Sequence, residues 1–236
     1  SSLQYQVLVH QQLQPQSVAY NEPLYIRMAA DAPLTEPVIR AALQNLVRRH
    51  AVLRTQVQLA TSNAEYYQLI LPEDGFVVPL TYCTEEAQWD AQHECALRAP
   101  FDLLGAPPIR AVAFQPGESA GPPRLMVVVH HIAADMDAMQ IIRKELSLLC
   151  DALTLSLPLS VMPPLEVAYA AFALRERAQE QSKAALEWWA EHLRGAPDLI
   201  ALPFDHARPA VQDAAAGHVD AELPRYPAEW LIAWSR

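Results

Sequence analysis

The stretch that decides the fold is VVVHHIAADMDAMQII, from Val127 to Ile142. Its first three residues and the preceding PRLM form the segment PRLMVVV (123–129). This segment is apolar on both faces, which predicts a central β-strand covered by other elements on each side. Two histidines end this strand, and Asp135 then stands where a helix begins, a position at which aspartate caps free backbone amides. Apolar residues at helical spacing continue the pattern behind it: Ile142, Leu146, Leu149 and Leu153.

The side chains of the two histidines are predicted to point to opposite faces of the sheet. Successive strand residues point to opposite faces, so if Val127 to His131 is extended, His130 and His131 cannot both face one pocket. One should belong to the interior and the other should face a cleft. The same geometry argues against a metal site, because both rings could not easily close on one zinc ion with Asp135. The alternative is that the segment has no catalytic role, so that both histidines are structural and Asp135 only caps the helix.

Strand and helix patterns interleave along the rest of the chain. Thr35 is predicted to cap a helix with Glu36 in its first turn, and a long helical stretch is predicted from Pro163–Pro164 to Gly195. The interleaving predicts an α/β (α+β mixed) fold, a mixed β-sheet packed with helices, in one domain. The other predicted elements are strands in AVLRTQVQL (51–59), YYQLIL (66–71) and PPIRAVAF (107–114), a helix in TEEAQWDAQHECALRA (84–99), and a loop over 195–210.

Composition narrows the function classes. With 52% hydrophobic and 19% charged residues, the chain of 236 residues has a globular composition. A net charge of −10 without a basic patch makes nucleic acid an unlikely partner. The three cysteines lack metal-ligand spacing and suit a reducing compartment. No leader and no apolar run of membrane-spanning length is seen, so we expect a cytoplasmic protein that does not contact membranes.

The segment HHIAAD resembles the HHxxxDG signature of condensation domains from nonribosomal peptide synthetases, within the chloramphenicol-acetyltransferase-like superfamily. Five further segments resemble landmarks of that family and occur along this chain in the family's order, and Gln4 matches the family's opening segment. These landmarks are SSLQYQVLV (1–9), RRHAVLRTQV (48–57), PFDLLGAPPIRAVAF (100–114), YAAFALRERAQ (169–179) and LEWWAEHLRGAPDLIALPFDHARPA (186–210).

The resemblance implies a domain organisation and a set of roles. Such domains have two similar lobes with a tunnel between them, and residues 1–236 resemble the N-terminal lobe only, with the C-terminal lobe absent. His131 is then the catalytic residue on the tunnel floor, and His130 points the other way. Asp135 holds the loop and pairs with an arginine of the second lobe.

The resemblance also implies chemistry and partners. The family joins an acyl thioester on an upstream carrier protein to the amine of an aminoacyl thioester on a downstream carrier protein. The substrates are carried on the phosphopantetheine of those carriers, so the domain needs no cofactor of its own and no metal. Partners are therefore the two carrier proteins and the missing C-terminal lobe.

Met136 occupies the position of the motif's glycine, and this departure leaves two other functions open. One is a catalytically silent condensation-like domain that acts as a binding platform for a partner protein or carrier. The other is a freestanding acyltransferase that uses coenzyme A thioesters. Retention of His131 and Asp135 favours the peptide-bond-forming enzyme, whereas the side chain of Met136 favours the binding platform.

Overall fold

The chain divides into two compact units, Ser1–Arg194 and Gly195–Arg236. The computed structural model describes residues 1–27, 35–61, 65–117, 122–159, 162–178, 182–200, 202–207, 209–210 and 225–235. The boundary between the units falls at Gly195, whose φ of +79° lies in the left-handed region that favours glycine. The sequence predicted the end of a helical stretch at this residue. The assignment of residues 1–236 to one lobe stays a prediction.

Thirteen helices and strands are described. The helices are α1 (Ser2–Leu13), α2 (Glu36–Arg49), α3 (Glu86–Arg98), α4 (Met136–Thr154), α5 (Tyr169–Ala178), α6 (Lys183–His192) and α7 (Arg225–Trp234). The strands are β1 (Asn21–Arg27), β2 (Thr55–Leu59), β3 (Tyr66–Ile70), β4 (Leu80–Cys83), β5 (Ile109–Phe114) and β6 (Arg124–His130).

Strand β6 lies inside a four-stranded sheet of order β1-β6-β5-β4. It pairs antiparallel with β1 and β5, while β4 and β5 are parallel, so the sheet is mixed as predicted. Strands β2 and β3 form a separate antiparallel pair. The prediction of a central strand is confirmed, and this strand ends at His130.

Side-chain alternation along β6 supplies two apolar layers. Val127 and Val129 belong to one buried cluster, together with residues of α2 and α4 such as Leu46 and Leu146. The residues between them, Met126 and Val128, belong to a second cluster that includes Leu8 of α1 and Trp89 of α3. Because both faces of β6 are covered, the apolar run that the sequence showed is explained by burial on two sides.

The predicted start of α2 is confirmed, with Thr35 at the N-cap and Glu36 in the first turn, although the Thr35 side chain makes no capping hydrogen bond. Two other predictions about element boundaries are wrong. Ala51–Arg54 forms a 3₁₀ turn, so the predicted strand begins only at Thr55. The predicted long helix begins at Tyr169 rather than at the proline pair, and Ser182, with extended backbone and a side chain that accepts from the Ala185 N–H, starts a separate helix α6. Residues 179–181, inside that prediction, lie outside the described residues.

The sequence patterns did not predict α1 and β1. Ser1 caps α1 and forms a reciprocal capping pair with Gln4. Strand β1 contains Pro23, which a central strand would exclude, but β1 is the edge of the sheet and leaves one side without ladder partners. These two elements flank the end of β6 and take part in the candidate site.

The three cysteines are free thiols; Cys83 and Cys150 are buried and Cys95 is exposed. Among the described helices, none combines the length and the apolar character needed to cross a membrane.

Candidate active site

The histidine pair sits at the point where β6 becomes a turn. His130 is the last residue of the strand, and His131 is already the first residue of the turn rather than an extended residue as expected. The two side chains nevertheless differ in exposure as alternation requires. His130 is 1% exposed, whereas the side chain of His131 is 37% exposed.

Both ring nitrogens of His130 lie against polar partners. Its Nδ1 accepts from the backbone N–H of Ile132 at 3.1 Å, and its Nε2 lies 3.2 Å from Oε1 of Gln11. An accepting Nδ1 requires the neutral ring with its proton on Nε2, which then donates to Gln11. Burial, together with smaller electrostatic contributions from His131 and Arg110, lowers the pKa of His130 to about 4. His130 is therefore a neutral, interior histidine.

Hydrogen bonds from distant segments hold the turn in place. The His131 N–H donates to the Tyr20 carbonyl at 2.9 Å, and the Ala133 N–H donates to the His130 carbonyl at 2.9 Å. From α1, the buried Gln4 side chain donates to the Ile132 carbonyl at 2.9 Å. The backbone that carries His131 is thus fixed from α1, from the segment before β1 and from within the turn.

The imidazole of His131 lies between an aromatic ring and a carboxylate. Its ring stacks on Tyr20 with an interplanar angle of 4° and a centroid separation of 6.0 Å. Its Nδ1 is buried and has no hydrogen-bond partner in the part of the chain that the structure describes, while Oε1 of Glu22 lies 3.6 Å away, just beyond hydrogen-bond distance. Since the side chain as a whole is over a third exposed, the accessible part of the ring is the part away from Nδ1.

Asp135 and Met136 define the start of α4. Asp135 is the N-cap residue, and its Oδ1 accepts from the Ala138 N–H at 2.8 Å. Met136 is the first helical residue, and 77% of it is exposed. The predicted capping role of Asp135 is therefore seen directly. The arginine partner that the family resemblance implies for Asp135 stays a prediction.

The geometry leaves His130 unsuited to metal binding, because its Nδ1 lone pair accepts from Ile132 and its Nε2 carries the proton. Within the described ranges, no group of three or more histidine, cysteine or acidic residues is placed to hold a metal ion. The arrangement instead offers one accessible imidazole on a rigid turn, which suits proton transfer to or from a bound substrate.

Sequence reasoning singled out His130, His131, Asp135 and Met136, but the structure shows that other residues complete their surroundings. Tyr20 and Glu22 lie beside His131, and Gln11 contacts His130. Tyr20 and Glu22 come from the segment around β1, and Gln11 from α1, the elements that sequence patterns did not predict. A strand prediction for NEPLYIR would have been the signal, and Pro23 masked it.

Comparison with known proteins identifies the family. The family model described as Condensation domain matches residues 1–231. The chain belongs to the condensation domain family.

Relatives and solved structures agree with this assignment. The phosphinothricin tripeptide synthetase PhsC of Streptomyces viridochromogenes is 33% identical over 224 residues, which cover 90% of this chain and 20% of that protein. The X-domain solved in complex with OxyB from teicoplanin biosynthesis is 26% identical with a TM-score of 0.74, covering 89% of this chain and 46% of that one.

A further solved structure shows the shared fold. The first condensation domain of the calcium-dependent antibiotic synthetase, in complex with a substrate analogue, is 19% identical with a TM-score of 0.67. The match covers 84% of this chain and 48% of that domain's chain. This chain therefore spans about half of each of these two solved chains and a fifth of the synthetase.

Proposed function

We propose that this chain is the N-terminal lobe of a nonribosomal peptide synthetase condensation domain, which forms an amide bond between two carrier-bound substrates. The observation that carries the proposal is the placement of His131. Its ring is accessible at the end of the central strand, and four hydrogen bonds among the described residues fix the turn that bears it. Membership of the condensation domain family and the relation to a tripeptide synthetase support the same reaction.

The proposed reaction joins an upstream acyl thioester to the amine of a downstream aminoacyl thioester. The new C–N bond forms as the C–S bond to the upstream phosphopantetheine breaks, and the attacking nitrogen loses one proton. His131 accepts this proton and passes it to the departing thiolate, a contribution worth about 10²- to 10⁴-fold in rate. The two carriers supply most of the remaining acceleration by holding both substrates in line.

The remaining residues of the motif support His131 in this proposal. His130 stays neutral and interior, so it anchors the turn rather than exchanging protons with substrate. Asp135 fixes the start of α4 directly behind the turn. No group in the proposed chemistry requires a cofactor held by the domain itself, because the phosphopantetheine arms belong to the carrier proteins.

The test is amide formation by the complete domain with both carriers loaded. Replacing His131 by alanine should lower the rate of product formation by about 10²-fold or more, because the general base is lost. His206→Ala is the matched control, since it removes an exposed histidine from the loop after α6. Product formation by the His131 variant at the parent rate would contradict the assignment.

A second candidate is a binding platform without catalysis. The related X-domain structure is a complex with another protein, OxyB. In this chain, Met136 places an exposed side chain at the glycine position of the motif. Under this alternative, the parent domain itself forms no amide with both loaded carriers, so the same assay separates the two functions.

A further inference from the structure

We propose that Glu22 is a positioning residue for His131: its carboxylate accepts a hydrogen bond from Nδ1–H and leaves Nε2 as the unprotonated nitrogen. This inference rests on the proposed function, in which His131 accepts a proton from the attacking amine. A histidine that acts as a base needs one nitrogen free of its proton and open to substrate. The partner of the other nitrogen decides which one that is.

The first observation is the state of Nδ1. This atom is buried and makes no hydrogen bond to any of the described residues, although a buried polar nitrogen is costly to leave unpaired. The Glu22 carboxylate lies 3.6 Å away and its side chain is 41% exposed, so it can rotate. A shift that brings the two atoms to about 3 Å forms the bond.

The second observation is the strand register. In the antiparallel pair of β1 and β6, Glu22 lies directly opposite Val129. His131 is the turn residue two positions after Val129, and its N–H donates to the Tyr20 carbonyl, so the start of the turn stays beside β1. The contact therefore joins β1 to the first residue of the turn, whose backbone is held close to Glu22.

The third observation is what the other nearby groups already do. The Asp135 carboxylate caps α4 through the Ala138 N–H. His130 is interior and bonded to Gln11 and to the turn. The Tyr20 ring covers one face of the His131 imidazole. Among the described residues, Glu22 is the carboxylate that reaches Nδ1, and its negative charge also stabilises the imidazolium formed when Nε2 takes a proton.

The test measures the tautomer of His131 in the 236-residue chain by ¹⁵N NMR, with the spectra recorded at alkaline pH. The His131 signals are assigned by their loss in His131→Ala. In the parent, the Nδ1–H form should dominate, against the ordinary preference of free histidine. Glu22→Met removes the acceptor and should lower the ratio of Nδ1–H to Nε2–H by at least about tenfold.

Two further variants sharpen the result. Glu22→Asp keeps the carboxylate on a shorter stem and should retain part of the parent ratio. Glu36→Met makes the same chemical change at a surface ion pair with Arg40 and should leave the ratio unchanged. Thermal melting of each variant verifies that the sheet is intact.

Two outcomes would overturn the inference: a dominant Nε2–H form in the parent, or an unchanged ratio in a folded Glu22→Met variant. The first outcome is measured in the parent chain, so it does not depend on whether a variant folds. The tautomer is read without any turnover. Full activity of His131→Ala would refute the proposed function but not the Glu22–His131 pairing, whereas an unaltered tautomer would refute the pairing alone.

Discussion

His130 and His131 show how adjacent, chemically identical residues acquire opposite tasks. His130 packs edge-on against the Phe101 ring and is sealed in the interior, while His131 lies on the accessible side with Tyr20 against its face. Their different environments result from the opposite directions in which the two side chains point, since the residue type is the same. Burial keeps His130 neutral, and this has a consequence for stability that can be measured.

Stability should fall in acid because of His130. The unfolded chain binds a proton on this histidine below about pH 6.5, but the folded chain, where burial lowers its pKa to about 4, does not. The stabilising contribution is therefore complete above pH 6.5 and is lost as the pH falls from 6.5 to 4. The total is roughly 3 kcal/mol in the free energy of unfolding.

Urea denaturation between pH 7 and pH 4.5 measures this effect. His130→Gln removes the titrating ring, so its free energy of unfolding should change less with pH than that of the parent. His206→Gln, at an exposed histidine, should follow the parent. The same pH dependence in the parent and in the His130 variant would show that the ring is not buried in its neutral form.

Sequence reasoning could place the two histidines but not the residues that contact them. The period of a strand is enough to predict that His130 and His131 diverge. The identity of Gln11, Tyr20 and Glu22 as neighbours depends on how α1 and β1 pack against β6, and that packing is tertiary. No local pattern connects residue 22 with residue 131.

The elements around the site are joined by polar contacts that the family landmarks supply. In the RRHAVLRTQV segment, Arg49 and His50 both contact the carboxylate of Glu145 on α4, at 3.0 and 2.5 Å. The largely buried Arg54 donates to the carbonyls of Val47 and Arg48 at the end of α2. These landmark residues thus tie α2 to α4, and α4 begins directly behind the histidine turn.

Asp135 should contribute to stability as a helix cap. Asp135→Ala removes the bond to the Ala138 N–H and should lower the free energy of unfolding by about 1 kcal/mol, whereas Asp135→Asn keeps an accepting oxygen and should cost little. Chemical denaturation of the two variants makes the comparison. If alanine were as stable as the parent, or asparagine as unstable as alanine, the cap would not explain the position.

Helices and strands with long apolar patterns could be predicted from the sequence, whereas local exceptions to those patterns could not. The apolar stripe of α4 indicates a helix buried on one face, and the continuous apolar run of β6 indicates a strand buried on both faces. The edge strand β1 tolerates Pro23 only because one of its sides is unpaired, a fact of sheet order. The break before α6 comes from the extended backbone of Ser182, within a stretch whose composition favours helix throughout.

For the whole molecule, the central proposal is that this chain supplies one wall of a two-lobed catalyst. The match covers 46% and 48% of the two related solved chains, which agrees with one lobe of two. Helix α6 also exposes Trp188 and Trp189, each more than half accessible. By resemblance, the second lobe covers His131 and provides the arginine for Asp135.

The most direct test of this account is amide formation by the chain with both carriers loaded, in the presence and absence of a separately expressed C-terminal lobe. The chain alone should fold but form product at least about a thousandfold more slowly than the two lobes together, because water enters the site and the thioesters are not aligned. Product should depend on His131 when both lobes are present. Amide formation by the chain alone at the two-lobe rate, abolished by His131→Ala, would show that one lobe suffices and would contradict the account.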